Sequence, residues 1–415
     1  MSQTRQRKMG RNTRYIATIL GRSVATLLLI PLFVLVISSI SPIYNFSKPR
    51  SFSGPEIFNP YCTLDTTARW QRANFHTHTR VEGLANECDY SPAEALEAYK
   101  ELGYDIVTFS NHNELTEHPT DPELQVDLYE HGWNLLKYHK LVFGPRDGVM
   151  GFDHLLPILA SQRQWQLDML HNTCDIIQLN HPARTPFSCE STLQRLSGYE
   201  IMELDSGKTT ENEYWDVALS AGHYSFGLAN DDLHYIDRSS KLGIRCNFIQ
   251  TKSASYEDLM EALRSGCYYS MRIPDYGAGD WDVKREMNAT IPYIKGIGVK
   301  QDGTIYAQFS EPATSVTFIG EHHTTLAEYQ HIDDVSYTLP QSEPYARIVA
   351  HFEDGEVLYT NPFARYDSAH GDTPDSNSAH TIAWGLTALY NSLIALLALL
   401  IARLIVKIWR CKKQA

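Results

Sequence analysis

Two long apolar runs bound this chain. The first, VATLLLIPLFVLVISSI, covers residues 24–40 without a charge, and the second is uncharged over 381–402. Each is close to the roughly 17 to 25 residues that a helix needs to cross a bilayer. Basic residues crowd their outer ends: Arg5, Arg7, Lys8, Arg11 and Arg14 before the first, and Arg403, Lys407, Arg410, Lys412 and Lys413 after the second. The positive-inside rule therefore predicts transmembrane helices over 16–41 and 381–406, cytoplasmic basic tails at 1–15 and 407–415, and everything between them outside the cytosol, periplasmic or extracellular. A cleaved signal peptide fits less well, because the apolar core is long, Pro31 interrupts it and no A-x-A follows.

Between the runs, polar and aperiodic stretches at 42–68 and 367–380 read as linkers. From 69 to 272 short apolar runs alternate with helical patterns. Ser91-Pro92 with Glu94 signals a helix start, and Gly103 its stop. Strands are predicted ending at Asn74-Phe75 and at 105–110, 140–143, 176–179, 199–204, 225–229 and 246–250, with helices at 161–170, 213–221 and 256–264. About seven such βα units imply a parallel sheet closed into a (β/α) barrel. The pattern then changes: 273–366 favours β-branched and aromatic residues, with Asp302-Gly303 and Asp354-Gly355 as hairpin signals, and reads as a small antiparallel β domain.

Composition refines this picture. The chain has 415 residues, 43% of them hydrophobic, and a formal net charge of -13. Excluding the ten basic residues at the membrane ends and Arg22 leaves 25 basic against 49 acidic, so the outer region carries -24 and is a poor partner for nucleic acid or for anionic headgroups. Six cysteines, Cys62, Cys88, Cys174, Cys189, Cys246 and Cys267, lie outside, either as buried thiols or as one or two disulfides, and no C-x-x-C spacing supports a thiolate zinc site. Asn45 and Asn288 each begin a glycosylation acceptor triplet.

Candidate chemistry gathers at the predicted strand ends. His76 and His78 stand at i and i+2, which on an extended chain turns both imidazoles to one side. Asn111-His112, Asn180-His181-Pro182 and Asp231-Asp232 with His234 close three further strands. In a (β/α) barrel these ends share one face, so His76, His78, His112, His181, Asp232 and His234 would meet in one pocket. His and carboxylate ligands without thiolate suit two or three divalent ions such as zinc, manganese or iron, which activate water toward a phosphoryl or carbonyl centre. Arg80, Arg146, Arg184 and Lys208 fall on loops of the same face, where a guanidinium clamps phosphate in bidentate fashion.

The motifs together resemble the PHP superfamily, named for polymerase and histidinol phosphatase. His76-Thr77-His78, Ser110-Asn111-His112-Asn113, His181-Pro182 and Asp232-Leu233-His234 match its signatures in order over about 200 residues. The resemblance implies a distorted (β/α)7 barrel, TIM-like, with a metal cluster and chiefly phosphoesterase activity, in which Asp232 and Arg184 serve catalysis and Arg80, Arg184 and Lys208 hold substrate. It also implies Glu82 as the acidic ligand after His-x-His, Asp147 in place of the family's bridging Glu, and His154 as a further ligand. Asn111 stands where the family has Asp. The C-terminal β region, with Pro344-Tyr345-Ala346-Arg347 and Tyr359-Thr360-Asn361-Pro362, is similar to carbaryl-hydrolase-like metallohydrolases.

The expectation is thus a membrane-tethered, metal-dependent hydrolase acting on a small-molecule or lipid-linked phosphate ester. An ester or amide hydrolase is the alternative, as is a non-catalytic ligand-binding ectodomain with a degenerate site.

Overall fold

The computed structural model describes residues 2–83, 86–205, 212–236, 241–253, 255–370, 374 and 380–410. The chain enters through α1 (Ser2–Ile37), one helix that takes in the basic segment as well as the apolar run and continues through Pro31. Strands β1 (Tyr44–Phe46), β2 (Glu56–Ile57) and β3 (Gln71–Asn74) lead to α2 (Pro92–Glu101). That helix starts at the predicted signal: Ser91 Oγ accepts from Glu94 N, and Glu94 Oε2 accepts from Ser91 N at 2.7 Å. Next come β4 (Ile106–Val107), β5 (Leu128–His131), β6 (Lys140–Phe143), α3 (Ala160–His171), β7 (Ile176–Leu179), α4 (Glu190–Leu193), β8 (Ile201–Leu204), α5 (Asn212–Ser220), β9 (Phe226–Ala229), β10 (Arg245–Ile249), α6 (Tyr256–Ser265) and β11 (Tyr268–Arg272). Beyond α7 (Trp281–Asn288) lie β12 (Ile294–Val299), β13 (Thr304–Ile319), β14 (Thr325–Thr338), β15 (Tyr345–His351), β16 (Val357–Thr360) and β17 (Phe363–Tyr366). The chain leaves through β18 (His380–Ile382) and α8 (Trp384–Trp409).

The fold is mixed α/β, but its ladders form two large sheets, and no closed barrel is found among the described residues. Five strands run in the order β5-β6-β7-β8-β9, and eleven gather along β12-β13-β15-β16-β11-β10-β3-β4 with β14, β17 and β2 beside them. The departure from the expected (β/α)7 barrel lies in strand direction. β7, β8 and β9 are parallel, as are β3 and β4, yet β6 is antiparallel to both β5 and β7, and β10 is antiparallel to β3 and β11. The two sheets are linked by single bridges, Thr77 to Leu233 and His112 to Glu130.

Strand β16 pairs with β11, so the C-terminal strands extend a sheet of the preceding region. A buried ion pair strengthens that junction: Arg347 on β15 donates from Nε and Nη2 to Asp216 of α5 at 2.8 and 2.6 Å. The six cysteines between the two apolar runs, Cys62, Cys88, Cys174, Cys189, Cys246 and Cys267, are free thiols. Asn288 is buried and its Oδ1 accepts from Arg72 Nη2 at 2.6 Å, which withdraws that acceptor triplet from solvent.

The segment Tyr15–Ile37 of α1 and the whole of α8 are each long and apolar enough to cross a membrane. They pack together through Val36, Ala398 and Ile401. At their inner ends β1 pairs with β18, and Asn391 holds Ser41 through both its amide atoms, at 3.2 and 3.1 Å. Helix α3 rests against this junction, with Gln162 Nε2 donating to Ser39 O at 3.2 Å and Asp168 accepting from Tyr44 Oη at 2.6 Å.

Candidate metal centre

Backbone at the strand ends sets the ligand directions. Past β3 the chain stays extended: His78 N donates to Leu233 O at 2.9 Å, and Asn74 Oδ1 takes His76 N at 3.1 Å. Both imidazoles then project into one buried space, with Nε2 atoms 3.3 Å apart. Past β4, Asn111 is a clamp and not a ligand. Its Oδ1 accepts from Thr79 N at 2.7 Å while its Nδ2 donates to the hydroxyls of Thr79 and Thr116. Past β9, two adjacent carboxylates divide the work. Asp231 is consumed by Tyr99 Oη and the amides of Gly243 and Arg245, whereas Asp232, at φ 49°, turns toward the histidines.

Glu130, at the end of β5, lies at the centre. Its Oε1 is 3.2 Å from His76 Nε2, 3.2 Å from His139 Nδ1 and 3.3 Å from His181 Nε2; its Oε2 is 3.2 Å from His78 Nε2 and from His112 Nδ1. Asp232 Oδ1 stands 3.1 and 3.3 Å from the same Nε2 atoms of His76 and His78. Three groups result in which ligand atoms lie within 4.8 Å of one another: His76, His78, Glu130 and Asp232; His112, Glu130 and His139; and His78, Glu87 and His234. Behind them, Glu203 Oε1 takes the Nδ1 proton of His76 and its Oε2 the backbone N–H of His181, both at 2.8 Å. Such outer carboxylates fix the tautomer of a ligating imidazole.

The donor set fits divalent metal. With Nδ1 of His76 bound to Glu203, neutral His76 presents an Nε2 lone pair to the carboxylate oxygens of Glu130 and Asp232. Like lone pairs at such distances need a proton or a cation between them. In the metal-free protein protons fill that role. Burial opposes charge on His76 and His78, but Asp232 and Glu130 outweigh it, raising His76 well above the usual imidazole range and His78 to about 9. Burial likewise opposes ionisation of Glu130 and Asp232, and neighbouring imidazolium holds both well below the ordinary carboxylate range. His112 is lowered to about 4 by burial, ahead of its attraction to Glu130.

Of the residues singled out in the sequence, His76, His78, His112, Asp232 and His234 enter these groups, and His181 touches Glu130. Arg184 reaches the cluster through Asp232, Nη2 to Oδ2 at 2.5 Å. The other residues are placed differently. Glu82 is exposed on its loop, and Glu87 further along is the carboxylate that meets His234, at 3.1 Å. Asp147 is exposed after β6, whose reversed direction carries its C-terminal end away from the cluster. The same reversal brings the start of β6, hence His139, to the site, while β5, which runs with β7, delivers Glu130 from its C-terminal end. His154 is buried beside Phe152 and Trp165 and bonds Ser38 O, outside the three groups. Arg80 is exposed and donates to Asp89 O, and Arg146 binds Cys174 O and Asp175. Lys208 lies outside the described residues. Glu130 carries no motif; only the His-Gly that follows it hints at a strand end.

The fold and site define a mixed α/β protein with a buried His and carboxylate cluster suited to divalent metal. Neither a family model nor a curated protein matches the chain. Two solved structures are similar to it. One, from Bacteroides vulgatus, is a two-domain protein containing a predicted PHP-like metal-dependent phosphoesterase (12% identity, TM-score 0.35, covering 77% of this chain and all of that one). The other is a lesion-specific endonuclease from Pyrococcus furiosus (15% identity, TM-score 0.34, covering 47% and 56%). What the site can do follows from its own geometry.

Proposed function

We propose that this chain is a membrane-tethered, metal-dependent phosphoesterase of the PHP type, spanning the bilayer with α1 and α8 and holding its hydrolase region (69–272) and β region (273–366) outside the cytosol. One observation carries the reading: a single buried carboxylate, Glu130, faces five imidazoles, as a ligand shared between neighbouring ions does. Two or three ions of zinc, manganese or iron held there would lower the pKa of a water and offset charge on a phosphoryl group. His76, His78, Glu130 and Asp232 would hold one ion, and His112, Glu130 and His139 a second, with Glu87 and His234 beside His78. Arg184, fixed on Asp232, supplies a cation next to the site for phosphate oxygens. The basic flanks of both apolar helices support cytoplasmic termini.

The test is hydrolysis by the purified full chain, loaded with manganese or zinc, of an aryl phosphate and an aryl ester with the same leaving group. Cleavage of the phosphate is expected. Cleavage of the ester alone would move the protein to the ester or amide hydrolases, and less than one bound ion per chain would leave a ligand-binding ectodomain.

A further inference from the structure

Beyond the two terminal helices and Ile40 next to the first, six of the nine exposed large apolar side chains among the described residues fall on neighbouring segments, while Tyr235, Val283 and Tyr293 lie elsewhere. Trp133, Leu135, Phe152, Ile158, Leu159 and Phe187 lie on three segments, and Leu135 and Phe187 are 71% and 61% exposed. Single exposed apolar residues are ordinary on any protein, but a connected set marks an interaction surface.

These three segments are built as one unit. Leu135 N donates to Leu155 O at 2.9 Å and Thr185 Oγ1 to Lys137 O at 2.9 Å. Arg163, fully buried, donates to Pro157 O at 2.9 Å and Pro186 O at 2.6 Å, pinning the second segment to the third. The unit also abuts the inner ends of the apolar helices. His154 bonds Ser38 O just beyond α1, and Gln162, three residues after Leu159, donates to Ser39 O and to Tyr390 Oη of α8. On its other side it reaches the metal cluster: the ring of Trp133 is 5.5 Å from that of His112, and Phe187 follows Arg184 by three residues.

We infer that this apolar collar sits in the surface of the bilayer that α1 and α8 cross, and that the site takes its phosphate ester from that bilayer, as the headgroup of a membrane-resident amphiphile. The occupant is lipid because the collar continues the surface at which the apolar helices leave the domain. The outer region carries a net charge of -24, so electrostatic attraction to headgroups cannot seat it there. Burial of apolar side chains at the interface can. This inference rests on the phosphoesterase and membrane-spanning readings above.

The full chain in phosphatidylcholine nanodiscs tests both halves. Emission of Trp133, taken as the difference between wild type and Trp133→Phe, is expected to be quenched by lipids brominated near the headgroup and spared by aqueous iodide; Leu135→Trp provides a second reporter should Trp133→Phe not fold. Quenching by iodide alone overturns the collar. With manganese loaded, a long-chain alkyl phosphate resident in the disc is expected to be cleaved faster than its short-chain, water-soluble homologue at equal total concentration, and Leu135→Ser with Phe187→Ser to lower that ratio. The reverse preference overturns membrane substrate selection and leaves the phosphoesterase reading standing. Cleavage of neither ester overturns the substrate class and that reading together, while the bromine result still decides the collar.

Discussion

Nδ1 of His76 donates to Glu203 Oε1 at 2.8 Å, and this one bond turns Nε2 of the same ring toward Glu130 and Asp232. Among the described residues Glu203 touches no other imidazole nitrogen, but it also holds the backbone of His181. Its place is behind the ligands, where a carboxylate sets tautomer and basicity. Glu203→Gln is therefore expected to weaken metal binding by about 10- to 100-fold while the circular dichroism stays that of the wild type. Titration calorimetry with manganese measures it, and an unchanged affinity would place Glu203 in a purely structural role.

Glu130 and Asp147 make opposite predictions. Glu130→Gln leaves five imidazoles around a neutral amide, so metal content measured by elemental analysis should fall by at least one ion per chain. Asp147→Asn alters an exposed loop on the far end of β6 and should keep both metal content and activity. Loss of metal in Asp147→Asn, with Glu130→Gln intact, would reverse the assignment.

The metal-free protein should show a stability optimum near neutral pH. His78 titrates at about 9 when folded against 6.5 unfolded. Its contribution, on the order of 3 kcal/mol, is complete below pH 6.5 and disappears as pH rises through 9. His112 acts in the other direction: lowered to about 4 by burial, it favours the folded state above pH 6.5 and costs stability as pH falls toward 4. Depressed Glu130 and Asp232 add to the acid loss, since their stabilisation is present above their unfolded values and vanishes as they protonate. Urea unfolding of chelated protein across this range measures the curve. Metal should flatten its alkaline limb, because the ion replaces the protons on the imidazoles, and metal uptake at pH 7 should release protons. A flat curve without metal would remove the buried imidazolium.

Asn111→Ala separates a clamp from a ligand. It strands the N–H of Thr79, a buried donor, and should cost about 1 to 3 kcal/mol of stability with no change in metal stoichiometry. A lost ion at unchanged stability would make Asn111 a ligand after all.

Much of this site was legible in residue spacing. Positions i and i+2 on an extended chain share a side whatever the fold, so His76 and His78 declare themselves from the sequence, whereas Asp232 turns at φ 49° and joins a different ligand group from His234. Capping chemistry is equally local, and Ser91, Glu94 and Gly103 bound α2 as expected. Length and hydropathy mark the two terminal helices for the same reason. Glu130 was not legible because no pattern marked Leu128–His131 as a strand, and His139 was missed and Asp147 misplaced because the direction of a strand is not written in its own residues. Leu128–His131 and Lys140–Phe143 are short, and nothing in them says that β6 runs against its neighbours. Direction is decided by which edges are free when the sheet assembles, and that choice selects which strand end delivers its carboxylate. Local chemistry along the chain therefore determined the helices, the caps and most of the imidazoles. Long-range pairing alone decided that the sheets stay unclosed by ladders, that Glu130 stands at the centre of five imidazoles, and that Asp231 is consumed by backbone amides while Asp232 is left for the site.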